Sequence, residues 1–153
     1  MTRLLELSSK QQALVSAALR HVRDAEHLLG AEQTVKSPDQ AFHLAGFGPE
    51  CMRKALLSDR VYDRVLGHRI RPGLEVVLDA ILALDPVAHR YFPREWSGRW
   101  RALGEWTEES RYERTGTRAE VEVRPLVEDA RQVVSQTLAA LWADGRLPAG
   151  FAW

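Results

Sequence analysis

The stretch HLAGFGPECMRKALL, residues 43–57, carries an imidazole at His43, a carboxylate at Glu50, a thiol at Cys51 and cations at Arg53 and Lys54. Glu50 and Lys54 stand four residues apart in the order that favours an ion pair on a helix. On a solvated face such a pair is worth only about 0.2–0.5 kcal/mol; held open, the same two groups could orient and bind an anion. His43 lies two turns before Glu50, with Phe47 between them. A single carboxylate at that spacing is too few partners for a metal site, so no metal or other cofactor is expected. A second cluster, HRYFPREWSGRWR at residues 89–101, interleaves arginines with Tyr91, Phe92, Trp96 and Trp100 and contains one acid. Contacts to phosphates and stacked bases ask for that composition. An irregular segment pinned to a core by its aromatics, with arginine heads reaching back to water, asks for it equally.

The elements that must position these groups read as helices. Ser8 or Ser9 caps a first helix in which Leu14, Ala18, Val22, Ala25, Leu28 and Leu29 recur at helical spacing, and Gly30 stops it. Ser37-Pro38-Asp39-Gln40 opens a second: serine as cap, proline in the first turn and glutamine completing a capping box. That helix runs to about Ser58 and buries a face of mostly small residues, Ala41, Leu44, Ala45, Gly48, Met52, Ala55 and Leu56. The opposite, polar face holds Asp39, His43, Glu50, Arg53 and Lys54, with Phe47 among them. Pro49 cannot donate to the carbonyl of Ala45 and predicts a kink. A third helix opens at Pro72, carries Leu74, Val77, Leu78, Ile81, Leu82 and Leu84, and closes at Asp85-Pro86. Residues 86–118 are broken by prolines and glycines. Thr117 and Glu120 then form a capping box before Leu126, Val127, Ala130, Val133, Val134, Leu138 and Leu141, a last long helix that Pro125 either kinks or begins. AEVEVR alternates like a strand but has nothing to pair with. The predicted fold is therefore all-α, a four- to five-helix up-and-down bundle with an irregular insertion before the last helix.

Size and charge limit the rest. A chain of 153 residues buries one sizeable core and is taken as one domain, 1–153, ending in a short aromatic tail, 145–153, that docks on the bundle or on a second subunit. The 21 basic residues balance 21 acidic ones, so no global field draws in nucleic acid or a membrane, and any such partner must meet a local patch. Cys51, the only cysteine, excludes an internal disulfide and suggests a reducing compartment. No apolar run reaches the length of a membrane span or a signal peptide, so a cytoplasmic location is expected.

HVRDAEHLL, AFHLAGFGPECMRKALL, GHRIRPGL and EWTEESRY, in that order, resemble the HEPN (higher eukaryotes and prokaryotes nucleotide-binding) domain family over about residues 13–142. The string on the second helix is the most specific of the four. The resemblance implies a helical bundle, commonly paired as a homodimer, with RNA or nucleotide as ligand and a role in prokaryotic defence or toxin–antitoxin systems. The family's metal-independent RNA cleavage uses an arginine followed, after four to six residues, by a histidine at the start of the last helix. Base and cation are what the chemistry needs. Arg111 matches the arginine, but Gly116, Thr117 and Arg118 stand where the histidine would be, and no histidine follows His89. Arg20 and His27 meet the spacing in the first helix, a match expected by chance in a chain this rich in arginine.

The resemblance therefore implies an RNA- or nucleotide-associated module that holds an anion without breaking it. Arg111 and Lys54 would meet phosphate, Glu50 would orient them, and Tyr112 or His68 would lie at the rim. Arg111 packed under Tyr112 and Trp106 against Glu50 would instead be structural, and His68 could equally be a turn residue bonding a backbone carbonyl. Two alternatives stand beside this one. The first is a divergent ribonuclease in which His43 or His68 reaches Arg111 within the fold or across a dimer. The second is a helical protein-interaction module.

Overall fold

The computed structural model describes residues 5–58, 83, 85–91 and 96–152. The predicted third helix, the turn at Gly67-His68 and the middle of the 89–101 cluster lie outside the described residues. The elements are α1 (Ser9–Leu28), α2 (Pro38–Leu56), two single-turn helices α3 (Pro86–His89) and α4 (Trp96–Arg99), the 3-10 turns η1 (Arg101–Glu105) and η2 (Glu108–Tyr112), and α5 (Glu120–Ala143). The described residues are all-α, with no strand, and no described helix is long and apolar enough to cross a membrane.

Local chemistry explains the helix starts, with two corrections. Ser8 Oγ accepts from the Gln11 amide at 3.2 Å while Gln11 Oε1 accepts from the Ser8 amide at 2.9 Å, a full capping box. The box expected at Ser37 is absent, since the serine makes no side-chain cap bond. Asp39 works there instead, and its carboxylate accepts from the backbone N–H groups of Gly116 at 2.7 Å and Arg118 at 2.8 Å. Burial acts to raise its pKa, but those donors prevail and hold it below the usual carboxylate range. The box expected at Thr117 is also displaced. The cap residue is Ala119, whose N–H donates to Glu122 at 3.1 Å, and the Thr117 hydroxyl bonds the Arg114 carbonyl. AEVEVR is the first turn and a half of α5, which passes through Pro125 without a break, as α2 passes through Pro49.

α2 lies between α1 and α5 and packs against both. Ala41, Ala45, Met52, Ala55 and Leu56 from α2 join Val15, Ala18 and Val22 from α1 and Val123, Leu126, Ala130, Val134 and Leu141 from α5 in one apolar cluster. The two glycines of α2 are contact points. A Cβ on Gly48 would stand 2.5 Å from Val22 Cγ2, and one on Gly46 would run into the indole of Trp106, so only glycine allows both approaches. The irregular segment is pinned by aromatics, Tyr91, Trp100 and Trp106 being buried. The tail docks on its own chain: the Leu7 amide donates to the Arg146 carbonyl at 2.8 Å, Arg146 Nε donates to the Leu5 carbonyl at 2.7 Å, and Phe151 packs against the core.

Candidate functional site

The polar face expected on α2 is covered. Lys54 Nζ donates to Glu50 Oε1 at 2.7 Å, but the side chains are only 13% and 1% exposed, so this is an interior ion pair and not the solvated one that spacing suggested. Arg53 is buried beside them. Periodicity assigned these residues to water because they carry charge. The cover includes Trp106, whose indole sits on Gly46 and donates its N–H to the His43 carbonyl at 3.0 Å.

Next to this pair runs a ladder of rings. Phe47 meets His43 edge-on at 4.7 Å, Trp106 at 5.0 Å and His21 of α1 at 5.7 Å between centroids. His21 was not singled out in the sequence, although it stands beside Val22 of the apolar stripe. Its Nδ1 is buried without a hydrogen-bond partner. Burial lowers its pKa, helped by Arg20, while Asp24 and Glu50 pull the other way. Burial likewise pushes the Cys51 thiol up to about 11, against the pull of Lys54, leaving it an inert, half-buried thiol at neutral pH.

Arg111 and Tyr112 occupy the end of η2 and are both exposed. The guanidinium lies over the phenol ring at 4.7 Å, and Tyr112 is 73% exposed. Arg111 makes no hydrogen bond or ion pair among the described residues, so the structural alternative, burial under Trp106 against Glu50, does not hold. The five residues expected to form one site thus fall into an inward pair, Glu50 and Lys54, an outward pair, Arg111 and Tyr112, and His68, which lies outside the described residues. No hydrogen bond or ion pair joins the two pairs among the described residues.

Sequence reasoning also missed a cleft of about 970 Å³ between η1 and the first turns of α5, with Phe42, Arg101, Glu105, Arg118 and Glu122 in its lining. Arg118 lies 4.0 Å over the Phe42 ring and donates to both oxygens of Glu113. The signal available in advance was Asp39, an acid in a helix first turn whose carboxylate organises a loop 77 residues away.

No family model, curated protein or solved structure matches the chain.

Proposed function

We propose that this chain is a HEPN-like helical module that binds single-stranded RNA through Arg111 and Tyr112 and does not cleave it. The observation that carries this reading is an exposed guanidinium stacked on an exposed phenol, in no ion pair with a carboxylate among the described residues. A cation beside an aromatic face is the unit from which sequence-tolerant strand binding is built, the cation taking a phosphate and the ring a base. Arg114, also exposed, adds a second positive charge on the same loop. Glu50 and Lys54, spent on each other in the interior, act as scaffold and not as ligand contacts. Cleavage would need a base beside the cation, and no hydrogen bond or ion pair holds one on Arg111 among the described residues. Cellular defence is the setting that the family resemblance implies, and a homodimer the assembly.

The test is incubation of the purified chain with an end-labelled single-stranded RNA in EDTA. The proposal expects a complex that weakens as salt rises, RNA that stays intact, and a loss of affinity of about tenfold in Arg111→Ala, the scale of one stacking and phosphate contact. Cleavage that disappears in Arg111→Ala would replace the proposal with a ribonuclease.

A further inference from the structure

We infer that the cleft between η1 and the start of α5 is a site for a nucleobase whose edge presents adjacent N–H donors, guanine above all. The starting point is the effort spent on one side chain. Arg118 has its backbone N–H bonded to Asp39 at 2.8 Å, its guanidinium over the Phe42 ring at 4.0 Å, and two of its nitrogens on Glu113 at 2.9 and 2.6 Å. An arginine at the rim of an open cleft ordinarily keeps its rotamers, and restraining it in three ways yields a fixed planar surface. Such planes stack bases, as aromatic rings do.

The acids in the lining choose the base. Glu105 and Glu122 line the same cleft as Arg118, and they add to Glu113, the chief cause, in favouring the charged guanidinium. Glu122 already accepts the Ala119 N–H with one oxygen, whereas Glu105 makes no hydrogen bond or ion pair among the described residues. An ionised carboxylate only accepts hydrogen bonds. Guanine offers N1–H and its exocyclic amine side by side, matching two carboxylate oxygens, while uracil sets a carbonyl on each side of its single N–H and would be repelled. Arg101, exposed in the same lining, is the cation available to a phosphate on the ligand. A cleft of about 970 Å³ accommodates a nucleotide.

This site goes beyond the RNA contact proposed above and is tested without RNA. Calorimetric titration of the full chain with GMP, UMP and ribose 5-phosphate should give GMP the tightest binding by about tenfold, one bidentate base contact, with UMP no tighter than the sugar phosphate. Glu105→Gln, a change at an exposed side chain, should erase the preference for GMP over UMP, and Arg118→Lys, which keeps the charge but removes the plane, should weaken GMP about tenfold. Arg111→Ala, which removes a contact that does not tell bases apart, should leave the preference for GMP over UMP intact, so that failure of the RNA proposal and failure of this one are separately visible. Equal affinity for the three probes, no binding of any at millimolar concentration, or a GMP preference that survives in Glu105→Gln would overturn the inference.

Discussion

The covered side of α2 and the tip of η2 are built from the same kinds of side chain and turn them in opposite directions. On α2 a lysine and a glutamate form a pair 2.7 Å apart from which water is almost excluded, beside an indole seated on a glycine. On η2 an arginine lies over a tyrosine in open solvent, in no ion pair among the described residues. Charge placed inside is expensive to leave unmatched, so it comes with a partner and its removal damages the fold. Charge left outside costs the fold little, so its removal damages only what binds there. Mutations can therefore separate the two regions by which property they change.

The largest effect is expected from Glu50→Ala, which leaves the Lys54 ammonium in the interior with Arg53 nearby. Breaking an interior pair from one side should cost about 3–5 kcal/mol in urea unfolding. A loss under 1 kcal/mol would mean that the pair is effectively solvated and the contrast with η2 unfounded. Gly46→Ala comes next. Its methyl would collide with Trp106, and overpacking of this kind should cost about 1–3 kcal/mol with a changed tryptophan near-ultraviolet signal.

His21 sharpens the comparison through pH. Its pKa is lowered in the folded chain, so the folded state binds this proton less readily than the unfolded state. Its contribution to stability should be complete above the ordinary histidine value of about 6.5 and fade as pH falls through the lowered folded value. Thermal unfolding should therefore lose stability between neutral and mildly acid pH, less steeply in His21→Gln. Equal pH slopes in the two proteins would show that the imidazole is solvated. The smallest effect on stability is expected from Arg111→Ala, within about 0.5 kcal/mol of the parent chain by the same unfolding measurement.

What the sequence disclosed and what it hid divide along the range of the interactions. Ser8 and Gln11 cap α1 through bonds three residues apart, and a spacing that local can be read directly. The apolar stripes of α1, α2 and α5 were legible for the same reason, since helical period alone puts Ala18, Val22 and Ala25 or Leu126, Ala130 and Val134 on one side. Glu50 and Arg53 were misassigned because hydrophobic period treats any charge as solvent-facing. Whether such a face is covered depends on where distant segments fall, Trp106 reaching the carbonyl of His43 from 63 positions away. Asp39 likewise gave up a local role for donors at 116 and 118, and the cleft is assembled from segments around Phe42, Glu105 and Arg118 that no spacing rule connects. Arg111 was singled out only through the resemblance to a family pattern. That it stands exposed on Tyr112 was visible only in the fold.

The central claim, that the tip of η2 binds a strand while the interior of α2 merely supports it, is tested most directly by the salt dependence of single-stranded RNA affinity in the parent chain and in Arg111→Ala. The account predicts weaker binding by the variant at every salt concentration and a logarithmic slope shallower by about 0.7, one phosphate contact on a single strand, with unfolding unchanged. Superimposable curves for the two proteins, or no affinity in the parent chain at low salt, would contradict it.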